Sequence, residues 1–421
     1  EKNIAEDEEI LKKLVAYREH IEFLYDSLMM RRDRARVVGD MVSTEMVFYF
    51  DGWMPAKEQP EVEALLKEYE FYYNIEEPDP DDESVPVLLQ NNSIVTPFEA
   101  VTGMYSLPGR HDIDPTAILA PFYFLFFGLM LSDAAYGLIL TTLCAIILKK
   151  YKPEGTTHRM IKMFMFCGLS TFMWGALFGG WFGNFFTVAA KTFFGKEFVI
   201  RPLWFDPLSE PMRLLVVSLI LGAIHLFVGM GVQAYMDIKD GRPLDALFDI
   251  GLWYLLLIGI VLFAFGGKLG AGAVGIGKIM AIVGAVGILL TGGRKKKGIF
   301  GKLTGGLGSL YGITSYLSDV LSYSRLLALG LATGVVAQVF NTLGSLAGGG
   351  IAGSILLIVV FAFGTVFNIA INALGAFVHS CRLQYVEFFG KFYTGGGRPF
   401  APFERKKKYI KILKEGNDNV K

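Results

Sequence analysis

Two arginines stand in the most apolar part of the chain, each on a polar helical stripe. Tyr311, Ser315, Ser318, Ser322 and Arg325 fall at spacings of four, three, four and three, which is one face of a helix, with Asp319 beside it. Asn368, Asn372, Gly375, His379 and Arg382 repeat that rhythm, with Gln384 and Glu387 further along. An arginine at membrane depth costs about 2.5–3.5 kcal/mol on insertion scales, so a carboxylate, a water-filled cavity or snorkelling must offset it. Arg325 has 18 residues on either side within its apolar segment, which makes snorkelling hard. The chemistry left is that of a fixed, permanent cation serving an anion. That anion is either Asp319 or Glu387 in a structural pair, or a carboxylate on another subunit. Arg382 lies ten residues from the end of its apolar segment and has the same structural option with Glu387.

The elements that must hold these residues are read from composition. The 421 residues are 52% hydrophobic and only 19% charged, with a mean hydropathy of +0.43. A soluble domain carries about a quarter charged residues. The formal net charge is +0, but the balance hides a split: 26 acidic and 11 basic residues up to Pro115, against 14 and 29 beyond it. This excludes a single soluble globule, a disordered chain and a disulfide scaffold. Cys144, Cys167 and Cys381 sit in apolar stretches at no ligand-like spacing and read as small hydrophobes inside helices. The five histidines are scattered, and no P-loop, HExxH or GxSxG occurs. No cofactor, metal site or nucleotide site is therefore expected, and the basic clusters lack the aromatic interleaving of a nucleic-acid surface.

Residues 6–38 carry an amphipathic helical pattern through Ile10, Leu14, Tyr17, Ile21, Leu24 and Leu28. Residues 41–50 read as a strand, 60–72 as a helix with Pro60 in its first turn, and 76–86 as an acidic linker. Together they predict part of an α/β cytosolic lobe with a coiled-coil arm over residues 1–115. The chain opens at Glu1 inside a charged helical pattern, with no signal peptide, so this lobe is expected to be incomplete.

From residue 116 to 394 we expect an all-α polytopic membrane domain of eight spans. Residues 118–148 are too long for one span, and Ser132-Asp133 marks a tight turn between a short helix and a second one. A third span starts near Met160 and is broken by the Gly-rich run 175–186. Three more cover 214–236, 247–265 and 271–290. The last two, 307–343 and 351–392, are long; 37 residues reach about 55 Å, beyond a hydrocarbon core of about 30 Å, so they tilt or overhang. Six glycines between Gly266 and Gly277 read as close helix packing or an external turn, and Gly348 to Gly350 as the last outer hairpin. Eight spans place Lys149, Lys150, Lys152, Arg159, Lys162, Lys239, Arg242, 294–297 and 405–408 on the side of the acidic lobe. The opposite side receives Lys191, Lys196, Arg201 and Lys268, so the positive-inside rule puts both termini in the cytoplasm, with 395–421 a basic tail.

The run SYLSDVLSYSRLLALGLATGVVA, followed by GAFVHSCRLQYVEFFGKFYTGGGRPFAPF, resembles the membrane subunit of V-type and archaeal or bacterial V/A-type rotary ATPases (subunit a, or subunit I). GWMPAKEQPEVEALL and PFYFLFFGLMLSDAAYGLIL agree with it, and the resemblance covers almost the whole chain. It implies a non-catalytic stator in a bacterial or archaeal plasma membrane. Its implied partners are a rotor ring of c/K-type proteolipids, a central-stalk socket subunit of d/C type, peripheral stalks of E/G type at the N-terminal arm, and lipid. Arg325 of the SRLLALGLA motif would face the ring carboxylates, with Arg382 of RLQYVEF assisting.

The physics behind that role is general. A ring carboxylate crosses lipid only when neutralised by H⁺ or Na⁺, and a fixed guanidinium favours its ionised form. Placed between two half-channels, it forces ions to ride the ring and couples flux to rotation. The resemblance points to a cytoplasmic half-channel along the last helix, with His379, Gln384 and Glu387. For the outer half-channel the candidates are Asp133, Tyr136, Asp319, Ser318 and Ser322. Asp133 reads equally as a helix N-cap, His379 as an interhelical hydrogen-bonding group, and Glu387 as a partner of Arg382 or Lys391. Asn372 and Thr333 stand where proton-pumping relatives carry a carboxylate and a histidine, which leaves Na⁺ open. Two other classes fit the composition: a secondary transporter with its site between broken helices, which would show repeated halves, and a membrane anchor for a coiled-coil arm. No internal repeat is evident, and an anchor leaves the arginines without a purpose.

Overall fold

The computed structural model describes residues 15, 17–79, 82, 84–196, 198–268, 270–294, 298–346, 348 and 350–403. The first part of the expected amphipathic arm, three of the four residues 294–297 and the cluster 405–408 lie outside the described residues. The chain falls into two compact units, one of residues up to Leu88 together with those from Arg398, the other Leu89–Gly397.

In the first unit, helix α1 (Arg18–Asp40) continues the arm's pattern, and Tyr17, Ile21, Leu24 and Leu28 of its stripe are exposed. The single strand expected over 41–50 is instead a hairpin of β1 (Val42–Ser43) and β2 (Phe48–Tyr49), registered Val42 to Tyr49. Thr44 folds the run back on itself: its N–H donates to Val47 O at 2.7 Å and its hydroxyl accepts from Val47 N–H at 3.1 Å. Helix α2 (Gln59–Glu68) follows, with Pro60 in its first turn, and ends sooner than expected as Glu70 turns to φ +55°. Strand β3 (Pro86–Val87) pairs in parallel with β4 (Arg398–Pro399).

The second unit is helical. Helix α3 (Glu99–Tyr105) precedes α4 (Thr116–Leu131), α5 (Ala134–Tyr151) and α6 (Gly155–Phe178). Next come α7 (Phe185–Phe194), α8 (Pro211–Lys239), α9 (Pro243–Phe265) and α10 (Ala271–Thr291). The chain then climbs one segmented column, α11 (Ile299–Tyr311), α12 (Ile313–Ser322) and α13 (Ser324–Ser345), and returns along α14 (Ile351–Arg382). Gly348 and Gly350 lie in the connection between column and return. Seven of these helical segments are long and apolar enough to cross a membrane. The first expected span, α4, is apolar but has only 16 residues. The Gly-rich run closes α6 rather than breaking it midway: Gly179 at φ +74° caps the helix.

One apolar core joins α4, α6, α8, α13 and α14 through Tyr123, Phe126, Met163, Leu214, Leu326 and Ala376, and runs on through Tyr323, Phe388 and Phe389, each at most 1% exposed. A second, around Trp253, Leu256 and Ile288, ties α9 and α10 to Met230 of α8. There Gly277 lies against the Leu262–Phe263 backbone, so the glycine-rich stretch serves packing as well as the turn. The three cysteines are free and buried, as small hydrophobes inside helices.

Candidate functional site

Both arginines sit at irregularities in their helices. The column tightens at Tyr323, whose N–H donates to Val320 O while Leu326 N–H donates to Tyr323 O, both three residues apart. This step separates α12 from α13 and makes Arg325 the second residue of the upper segment. On the returning helix, Arg382 ends the regular α-helix and a π-helical turn, Leu383–Phe388, follows at once. Such turns cluster at functional sites because the inserted residue re-aims the side chains after it. Here they bury Gln384 (0% exposed) and Glu387 (2%) while Arg382 stays exposed.

Arg325, Arg382, His379 and Glu387 form one electrostatic cluster. Neither guanidinium makes an ion pair among the described residues, and Arg325 Nη1 is buried with no hydrogen-bond partner. Three more orphaned atoms belong to the same turn or its neighbours: His379 Nδ1, Gln384 Nε2 and Glu387 Oε2. The expected structural pair of Arg325 with Asp319 is not formed. Asp319 Oδ2 is instead 2.5 Å from Lys391 Nζ, which also lies 4.4 Å from the centroid of the Tyr316 ring. Nor does Glu387 pair with Lys391 or Arg382. Among the described residues two permanent cations thus share one carboxylate, which leaves the cluster one anion short.

The remaining candidates separate into two places. Ser322 neighbours Glu387 and donates to Ser318 O at 3.2 Å; Ser318 is exposed. Toward the other end of α14, Tyr136, Asn368, Asn372 and Thr333 form a buried network. Asn368 Nδ2 donates to the Tyr136 hydroxyl (3.0 Å) and to Thr333 O (3.1 Å), and Asn372 donates to both oxygens of Asn368. Asp133 takes the N-cap position. It accepts from Ala135 and Tyr136 at the start of α5 and from Phe182 and Gly183 of the Gly-rich run, at 3.0–3.2 Å.

His225 of α8, fully buried between the arginine helices, escaped the sequence reading, and two residues named there take other roles: Lys391 takes Asp319 and Asn368 centres the network. A signal for His225 was there: Ser218, Gly222, His225 and Gly229 repeat the four-three-four spacing of the arginine stripes. Gly222 is small for a reason, since a Cβ there would collide with the Tyr323 ring.

Residues 313–405, which hold this whole cluster, match the family described as the V-type ATPase 116kDa subunit family. The A-type ATP synthase subunit I of Methanocaldococcus jannaschii is 34% identical over 92% of this chain and 59% of its own length. That of Thermococcus kodakarensis is 35% identical over 94% of this chain and 60% of its own length. The V-type ATP synthase subunit I of Chlamydia trachomatis is 24% identical over 93% of this chain and 67% of its own length. The chain therefore spans about three-fifths of the length of the archaeal relatives it matches. Its several apolar helices make it a multi-pass membrane protein. Motif, architecture and relatives agree: over residues 313–405 the chain matches the V-type ATPase 116kDa subunit family, and over most of its length it is similar to archaeal A-type ATP synthase subunit I.

Proposed function

We propose that this chain is the membrane stator of a V/A-type rotary ATPase, and that Arg325 couples H⁺ or Na⁺ transport to rotation by facing the carboxylates of a rotor ring. The observation that supports this reading is the missing anion: among the described residues Arg325 and Arg382 share only the charge of Glu387, and Arg325 Nη1 is buried there with no hydrogen-bond partner. An uncompensated guanidinium at this depth is costly, and a carboxylate brought by another chain offsets that cost each time it passes. The surface around Arg382 suits such a neighbour. Ile371, Leu374, Val378 and Val386, on the same helix side, are each at least half exposed and apolar, which suits a ring of apolar helices or lipid.

In this reading His379, Gln384 and Glu387, with their orphaned atoms, line the cytoplasmic half-channel, where water satisfies them. The Tyr136–Asn368–Asn372–Thr333 network lies on the other side of the arginines along the column and belongs to the outer route. It is built of amides and hydroxyls, which serve Na⁺ as well as H⁺. Residues 116–394 form the ion-translocating domain, residues 1–115 the stalk-binding lobe, and both termini are cytoplasmic. The partners are the proteolipid ring, the central-stalk socket and the peripheral stalks.

Replacing Arg325 by Ala in the assembled complex tests this. ATP-driven ion uptake into proteoliposomes should vanish while the complex still purifies with its ring; uptake at the wild-type rate overturns the reading.

A further inference from the structure

His225 touches both arginine-bearing helices through a single ring. Its Nδ1 lies 2.7 Å from the Tyr323 hydroxyl and its Nε2 3.2 Å from Gln384 Oε1. Tyr323 is the step two residues before Arg325, and Gln384 lies in the π-helical turn, two residues after Arg382. The imidazole stacks on Phe388 at 4.4 Å and 15°, packs against Phe122 at 4.4 Å, and meets the edge of Phe126. The surroundings are therefore apolar except for the two hydrogen bonds. Gln384 Oε1 can only accept, so the nitrogen facing it carries a hydrogen, and the Tyr323 hydroxyl meets the other nitrogen.

We propose that His225 is a positioning residue that holds the Tyr323 step and the Gln384 turn in one register, so that Arg325 and Arg382 meet the same passing carboxylate. The inference rests on the stator reading above. Apolar packing of Phe388 and Leu326 allows two helices to slide past one another at little cost, whereas two directional hydrogen bonds from one rigid ring do not. The bonds fall at the two places where the helices depart from regular geometry, which are also the places that set where each guanidinium emerges. An imidazole also suits the site because its flat face stacks on Phe388, with Phe122 tilted against it, while both ring nitrogens stay free for hydrogen bonds.

The test uses the whole complex in proteoliposomes, comparing His225→Phe, Tyr323→Phe and the double variant. His225→Phe keeps the stack and removes both bonds; Tyr323→Phe removes one hydroxyl only and guards against failure to fold. The readout is ions moved per ATP hydrolysed by assembled complex, which a merely structural residue leaves unchanged. Misplacement of a reacting group by about 1 Å costs up to about 100-fold, so we expect a drop of about ten-fold in His225→Phe and a smaller one in Tyr323→Phe. The double variant should be no worse than His225→Phe alone, because both changes break one link. His225→Gln, which can still bond Gln384, should recover part of the loss. A wild-type ratio in both single variants overturns the proposal. If Arg325→Ala in the same preparation is inactive while His225→Phe is normal, only the positioning role falls; if Arg325→Ala transports normally, the stator reading falls first.

Discussion

The Lys391 ammonium lies 2.5 Å from Asp319 Oδ2, so the acid closest in sequence to Arg325 is already neutralised by another cation. Both side chains are less than a fifth exposed and Lys391 also caps the Tyr316 ring, which fixes the pair away from the arginine cluster. The pair's consequence is electrostatic selection. By holding Asp319, Lys391 leaves Arg325 available to an acid from outside the chain.

Lys391→Met should therefore do more than loosen a salt bridge. Stranding one member of a partly buried pair costs about 2 kcal/mol, below the range for fully buried pairs. The freed carboxylate, six residues before Arg325, then competes for its guanidinium. ATP-driven transport should fall several-fold, and adding Asp319→Asn should restore it. Equal transport in the single and double variants would show that Asp319 never reaches Arg325.

Much of this arrangement was legible in the sequence because it depends on period and hydropathy. The column and return, the turn at Ser132-Asp133 and the placing of Arg325 and of His379 with Arg382 on polar stripes of two successive helices all follow from three-four spacing in apolar segments. What was not legible depends on departures from regular helix. The step at Tyr323 and the π-helical turn after Arg382 change which way Gln384 and Glu387 point, and no spacing rule registers them. Lys391 was weighed as a partner for Glu387 but takes Asp319 from across the fold. The strand over 41–50 failed for a local reason, since Thr44 could satisfy Val47 at short range.

Glu387 offers the next prediction. It is 2% exposed, its Oε2 has no hydrogen-bond partner among the described residues, and its charge acts on both arginines. Glu387→Gln keeps the volume and removes a buried charge whose desolvation is only partly compensated, so assembly and heat stability should hold or improve. Transport should fall about ten-fold, since the cluster then carries two cations and no internal acid. Glu387→Asp should retain more transport than Glu387→Gln. A Gln variant that transports at the wild-type rate would remove Glu387 from the ion route and leave it as a screening charge.

Asp133 separates a structural acid from a conducting one. Three of its four hydrogen bonds end on Oδ1 and one, from Gly183 N, on Oδ2, so its carboxylate binds the start of α5 to the Gly-rich run that closes α6. An amide reproduces Oδ1 and loses only the Gly183 bond. Asp133→Asn should therefore assemble, with a stability loss of about 1 kcal/mol, and keep most of its transport. Asp133→Ala orphans all four amides, two of them in the first turn of α5. Loss of an N-cap alone costs about 1 kcal/mol, and two further buried donors raise the total to about 3 kcal/mol. The Ala variant should show a lower melting temperature and a lower yield of complex, with near-normal transport per assembled complex. The opposite pattern, a stable and fully assembled Asp133→Asn complex that transports nothing, would make Asp133 a proton-carrying group of the outer half-channel and not the cap its four amides describe.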